Sequence, residues 1–311
     1  MSERNRTMVE MANEYLTYRR QLGFQLRIEG EQLLRFASFV DEQGHVGPLT
    51  TAIALQWARL PEDASPLYQA RRLEVVRCFS RYLAIFDENT EIPPTGILGK
   101  AHHRIRPHIY SETEISALFG ATETLRPTHG IRPQTFRVLI GLLYSTGLRI
   151  SEALRLMQRD VDLQNGVLTI AETKFYKSRL VPVHASTKRH LQDYSTFRDR
   201  YLTSPQSKTF FLSEKGDALI YSTVRTTFRS LIQKAKLKSN GERKYPRLYD
   251  FRHTFACRRL IQWYRDGLDL DHVIPSLSTY LGHVKIADTY WYLTGIPELM
   301  QLAVQRFEQL G

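Results

Sequence analysis

Four short stretches of the chain carry residue types that could act on a phosphate ester. In TGLRISEAL, Arg149 follows Gly147, where one helical pattern stops, and precedes another, with Ser151 placed to cap it. An arginine at such a junction can aim its planar fork at a phosphate, or it can pair with Glu152. In TKFYKSRLVPV, Lys174, Lys177 and Arg179 crowd the turn between two strand-like runs. A lysine at a hairpin tip can reach a ligand and give up a proton, and it can equally serve solubility. In RLYDFRHTFACRRL, Arg252 and His253 open a helix whose apolar face holds Phe255, Ala256 and Leu260, and helix N-termini favour anions. In LGHVKIADTYWYLT, His283 follows Gly282, and Tyr290 and Tyr292 flank Trp291. Each tyrosine is a candidate nucleophile or a piece of aromatic core. Residues two apart on a helix are separated by about 200°, so both cannot face one phosphate. On an unbroken helix His283 and Tyr292 would lie about 13 Å apart. They can share a site only if the chain turns between them, which Gly282 permits.

The partner of such a cationic set is suggested by the overall charge. Lys and Arg number 43 against 32 Asp and Glu, a net +11 over 311 residues. An excess of this size points to a polyanion, most often nucleic acid. The two cysteines, Cys78 and Cys257, are far apart and make neither a disulfide framework nor a zinc spacing. His102, His103 and His108 have no Cys, Asp or Glu beside them at ligand spacing. No metal and no cofactor is therefore expected. No stretch reaches membrane-spanning length, and the N-terminus has no apolar signal core. No membrane partner is expected, and a cytoplasmic, nucleoid-associated bacterial protein fits.

The elements that must position these residues follow from periodicity. Residues 8–86 read as four helices, with stops at Gly23 and Gly44 and before Pro61. In the fourth, Leu73, Val76, Phe79, Ser80 and Leu83 share a face, while Arg71, Arg72 and Arg77 supply cations expected to meet DNA phosphates. Residues 88–110 have three prolines, three histidines, two glycines and no period, the pattern of an interdomain linker. Helices resume with the capping box Ser111-x-x-Glu114 and an apolar run that ends at Gly147. The period then changes over VDLQNGVLTI and RLVPV, with Asn165-Gly166 as a hairpin turn, so a small sheet sits inside a mostly helical domain. From Tyr221 helices return to the C-terminus, where GIPELMQLAVQRFEQLG reads as a helix with an apolar stripe.

Taken in order, TGLRISEAL, TKFYKSRLVPV, YDFRHTFA and LGHVKIADTYWY resemble the arginine, lysine, second and third boxes of the tyrosine recombinase (phage integrase) family. The resemblance covers nearly the whole chain, and the wording of TYWYLT is similar to that of transposon-associated branches. It implies a mainly α fold with a small β-sheet: a helical core-binding domain over 1–90, a linker over 91–108, and a mixed α/β catalytic domain over 109–311. It further implies that Arg149 and Arg252 clamp the scissile phosphate, that Lys174 protonates the leaving 5′-oxygen with Lys177 in support, and that His283 adds a hydrogen bond. Tyr292, at the box spacing, is the implied nucleophile, with Tyr290 and Trp291 packing its helix. Lys177 and His253 are expected to touch DNA alongside Arg71, Arg72 and Arg77. The implied partners are double-stranded DNA with inverted half-sites and further copies of the chain, a dimer on one site and a tetramer in synapsis. The C-terminal helix would dock on its own core or on a neighbouring protomer.

The chain departs from the family pattern at Tyr249, where most members carry the first histidine of the second box. A tyrosine can donate to a phosphate oxygen, but with a free pKa near ~10 it does not readily take a proton at neutral pH. That departure keeps two alternatives in view, a catalytically impaired DNA-binding subunit and a type IB topoisomerase.

Overall fold

The structure, a computed structural model, describes residues 6–60, 63–101, 106–171, 178–241 and 244–294. It divides into two compact units, Met1–Arg104 and Ile105–Gly311.

The first unit is four helices, α1 (Met8–Gln21), α2 (Arg27–Glu42), α3 (Thr51–Arg59) and α4 (Pro66–Leu83). Their starts follow the capping chemistry of the sequence. Thr7 and Glu10 close a capping box on α1, Thr50 caps α3, and Ser65 caps α4 with Pro66 at its first position. Asp41, near the end of α2, accepts the backbone N–H groups of Met8 and Val9 at 2.8 and 3.0 Å and so ties two helix ends together. Leu16, Phe36, Trp57, Leu73, Val76 and Phe79 form the core.

On α4 the apolar face lies where its period predicts, but the arginines do not. Arg72 and Arg77 are buried. The Arg72 guanidinium stacks 3.6 Å from the Trp57 ring centroid and donates to the Trp57 carbonyl at 2.6 Å. Arg77 donates to the carbonyls of Pro93 and Pro94 and pairs with Glu74. The expectation that both meet phosphates is corrected: both guanidinium groups are buried inside the unit and bonded to its carbonyls, with Arg72 Nε left without a hydrogen-bond partner. Arg71 is exposed and donates to the Ala101 carbonyl.

In the second unit, α5 (Glu112–Thr122) starts at the Ser111–Glu114 capping box and α6 (Ile131–Thr146) runs through the centre. Phe136, Leu139, Ile140, Leu142 and Leu143 of α6 are all buried, while Gln134 and Arg137 on its other side are exposed, the pattern of a helix with one broad apolar face. After α7 (Ile150–Arg155) comes an antiparallel meander of β1 (Val161–Asp162), β2 (Val167–Ile170) and β3 (Arg179–Pro182). Leu168 pairs with Val181, and these two with Ile170 face the core, while Leu180 is exposed. The four-residue turn between β1 and β2 ends on Asn165-Gly166, with Gly166 at φ +70°. Helices α8 (Ala185–Tyr201), α9 (Tyr221–Lys234), α10 (Asp250–Arg265), α11 (Leu270–Leu281) and α12 (Ala287–Thr294) complete the unit. α10, α11 and α12 enclose a further apolar cluster of Phe255, Ala256, Cys257, Leu260, Ile274, Leu277, Leu281 and Tyr292. Among the described residues no helix is long and apolar enough to cross a membrane.

His108 lies in this second unit, buried against Tyr110 with its ring Nε2 3.3 Å from Glu114, and its Nδ1 accepts the Asn240 N–H. The segment 106–110 therefore packs as part of the second unit. The C-terminal stretch read as a helix, the lysine turn with Lys174 and Lys177, and His102 and His103 fall outside the described residues.

Candidate active site

Two helix ends define the floor of the site. α6 stops at Gly147 (φ +64°) and α11 at Gly282 (φ +70°), both left-handed caps. Between them, from the first turn of α10, comes Arg252, with none of its surface exposed. Its Nη1 donates to the Gly147 carbonyl at 3.0 Å and its Nη2 to the Leu281 carbonyl at 2.7 Å. Helix C-termini favour cations, and their end carbonyls lack helical partners. The first and third boxes are thus joined through one guanidinium. A side chain at Gly147 would stand 2.7 Å from the Phe255 ring, so α10 lies close against this turn.

Arg149 occupies the N-cap position of α7, and its backbone N–H donates to Glu152 at 2.9 Å. Ser151, expected as the cap, lies inside the first turn, and the carboxylate one residue further on takes that backbone proton instead. The Arg149 side chain donates to Glu152 at 2.8 Å and to the Gly282 carbonyl at 3.3 Å, and it stays 30% exposed. Glu152 is buried and also receives a two-pronged contact from Arg179 of β3, at 3.1 and 2.9 Å. Burial alone would raise the Glu152 pKa; the hydrogen bonds and charge of Arg179, then those of Arg149, outweigh it and hold the carboxyl at about 2.

Tyr292, on α12, is 3% exposed and lies beside Arg252. Its ring meets His253 edge-on at 5.3 Å and stacks against His283 at 5.9 Å. Burial pushes the phenol up to about 12, against the pull of the nearby Arg252 charge and hydrogen bond. His283 Nδ1 is 2.6 Å from the Thr289 hydroxyl. Where Thr289 donates, the ring proton sits on Nε2. Burial first, then Arg252 and Arg149, lower His283 to about 4; burial, Arg247 and Arg252 lower His253 to about 3. Both rings are neutral near pH 7. Tyr249 is 42% exposed at the start of α10 and edge-on to His253 at 5.1 Å.

The turn required between His283 and Tyr292 is present: α11 ends at Leu281, and α12 starts at Ala287. Arg149, Arg252, His283 and Tyr292, with Tyr249 at the edge, are drawn together from α7, α10, α12 and the α11–α12 turn. Tyr290 points away, 38% exposed, with its hydroxyl on Asp271 at 3.3 Å. Asp250 pairs with Arg247 at 2.8 Å. His253, expected against DNA, is instead buried among the rings of the site, and its Nδ1 has no hydrogen-bond partner. Sequence reasoning did not find Thr289 as the orienting group of His283, nor Arg179 as a second partner of Glu152. The spacing Arg149-x-x-Glu152 was the visible trace of half that network.

Comparison with known proteins agrees with this geometry. Residues 109–295 match the sequence model of the Phage integrase family. An integrase/recombinase of Sinorhizobium fredii (strain NGR234), y4rB, is 42% identical over 307 residues, 97% of this chain and 98% of that protein. Tyrosine recombinase XerC of Staphylococcus aureus (strain JH9) is 28% identical over 72% of this chain and 68% of its own length. The fold is shared with the Tn1549 transposon integrase in complex with circular intermediate DNA, at a TM-score of 0.70 and 18% identity, covering 98% of this chain and all of that one. These relatives favour neither a topoisomerase nor an accessory subunit. The chain belongs to the phage integrase family and is a tyrosine-type site-specific recombinase.

Proposed function

We propose that this enzyme cleaves and rejoins double-stranded DNA through a covalent bond between Tyr292 and a 3′-phosphate, within inverted half-sites bound by copies of the chain. The observation that carries this reading is the packing of Arg252 and His283 against one buried tyrosine, with Arg149 bonded to the Gly282 carbonyl next to His283. A phosphodiester repels nucleophiles, and negative charge builds on its oxygens as a fifth oxygen approaches. Guanidinium donors already fixed in place lower that barrier without reorganising. The Tyr292 oxygen forms the new bond to phosphorus and the bond to the 5′-oxygen breaks. The tyrosine proton passes to the neutral His283 ring stacked beside it, and Lys174 supplies one to the departing 5′-oxygen. The phosphotyrosyl ester conserves the bond energy, so a second 5′-hydroxyl can reverse the step without ATP.

Charge explains why binding should activate the site. Without DNA, burial first and then the field of the surrounding cations keep His283 and His253 neutral. A bound phosphodiester offsets that field and raises the proton affinity of both rings. Arg252 holds the phenol close and favours its ionised form. The domain assignment is a core-binding module over 1–90, a linker over 91–108 and a catalytic module over 109–311. A dimer occupies one site and a tetramer forms in synapsis, in the cytoplasm and on the nucleoid. The test uses a duplex from the DNA flanking its gene, nicked beside the cleavage site so that the cut fragment is lost. Wild-type protein is expected to become covalently attached, and Tyr292→Phe is expected to bind without attachment. Attachment by Tyr292→Phe at the wild-type level would overturn the reading.

A further inference from the structure

Arg179 has the contacts of a group that governs the catalytic arginine without touching substrate. It leaves β3 and reaches three places at once: Nε to the Tyr280 carbonyl at 2.8 Å, Nη1 to Glu152 Oε1 at 3.1 Å, and Nη2 to Glu152 Oε2 at 2.9 Å. Its side chain is 10% exposed and that of Glu152 2%. It also fills the space beside Gly282, where a Cβ would stand 2.8 Å from its guanidinium. The Gly282 carbonyl accepts from Arg149, and His283 comes next in the chain.

The charges make this arrangement more than a brace. Glu152 is an anion at any working pH. Were Arg149 its only cation, the two would form a neutral pair, and the Arg149 fork would turn toward the carboxylate. Arg179 contributes a second positive charge and takes the planar two-pronged geometry, the strongest way an arginine binds a carboxylate. Arg149 is left with one side-chain contact to Glu152 and 30% of its surface open. The triad Arg149, Glu152 and Arg179 carries +1 in place of zero, and that charge resides on the exposed member.

We infer that Arg179 is a positioning residue for the cleavage reaction: it neutralises Glu152 so that the charge of Arg149 remains available to the scissile phosphate. The inference rests on the assignment of Arg149 as a phosphate clamp.

A charge-specific readout separates this role from a merely structural one. Two nicked duplexes would be compared, one with the natural phosphodiester at the cleavage position and one with a methylphosphonate, which lacks the negative charge that Arg149 would neutralise. The ratio of covalent attachment rates on the two duplexes is taken from one preparation, so loss of folded protein cancels. Arg179→Met sets the triad to zero and should lower the diester-to-methylphosphonate ratio on the order of tenfold. Arg179→Lys keeps the charge and should hold the ratio within about threefold of wild type. Adding Glu152→Gln to Arg179→Met restores +1 and should recover most of the ratio, although a further ionic contact is removed. An unchanged ratio in Arg179→Met, or a double variant no better than the single one, would overturn the inference. If wild-type protein attaches to neither duplex, it is the reading of the reaction that fails.

Discussion

At the residue scale, the chain separates charges that look alike in sequence. Arg149, Arg252, Arg72 and Arg77 all sit in helical patterns beside apolar residues, and the net charge is compatible with DNA contact for each without distinguishing among them. Two of them instead serve the first unit. A guanidinium over an indole and under a carbonyl is a packing group. Arg72→Met is therefore expected to lower unfolding stability by about 1–3 kcal/mol while leaving the salt dependence of DNA binding unchanged. Thermal unfolding and a salt titration of binding would check both halves, and a shallower salt slope would return Arg72 to the DNA. Tyr249 belongs to the opposite class. It is exposed at the mouth of the site, with its ring edge-on to His253. Tyr249→Phe is expected to slow cleavage by roughly tenfold through loss of one donor, and Tyr249→His to retain activity. A phenylalanine variant that cuts at the wild-type rate would reduce Tyr249 to a space-filler.

At the element scale, two glycine caps and one arginine hold the catalytic boxes together. Arg252 bonds to both helix ends, and each end needs a left-handed residue. Gly147→Ala combines positive φ with a Cβ pressed on the Phe255 ring. It is expected to cost about 1–3 kcal/mol of stability, and more if Phe255 cannot move, as read from chemical denaturation. Much of this was legible. The glycine stops, the Ser111 capping box, the Asn165-Gly166 turn and the alternation in β2 and β3 are local signals, and local signals survive folding. Box order then pointed to Arg149, Arg252, His283 and Tyr292. What was not legible depends on long-range contact. The Arg179 grip on Glu152 spans 27 positions and the Arg252 bond to Gly147 spans 105. No periodicity reports such pairs. Nor does it tell a solvated arginine face from one covered by Trp57 and the prolines at 93 and 94.

At the scale of the whole molecule, the cationic site leaves a mark on the response to acid. His283 and His253 titrate lower in the folded chain, at about 4 and about 3, than their ordinary 6.5, and Glu152 lower, at about 2, than 4.5. In each case the unfolded chain takes up the proton first. The stability these groups contribute is present above pH 6.5, falls as pH drops from 6.5 toward 4 for His283 and toward 3 for His253, and falls between 4.5 and 2 for Glu152. Melting temperature is expected to decline through the first window. His283→Gln should remove up to one proton from that slope, about 1.4 kcal/mol per pH unit. A profile unaltered by that substitution would mean that burial and the arginines do not hold the ring neutral. The central claim is that one of two neighbouring tyrosines carries the reaction. The most direct measurement is proteolysis of the covalent protein–DNA adduct followed by mass spectrometry of the nucleotide-bearing peptide. The account predicts the nucleotide on Tyr292, in the peptide that also holds Tyr290; a nucleotide on Tyr290, or on any residue outside α12, would contradict it.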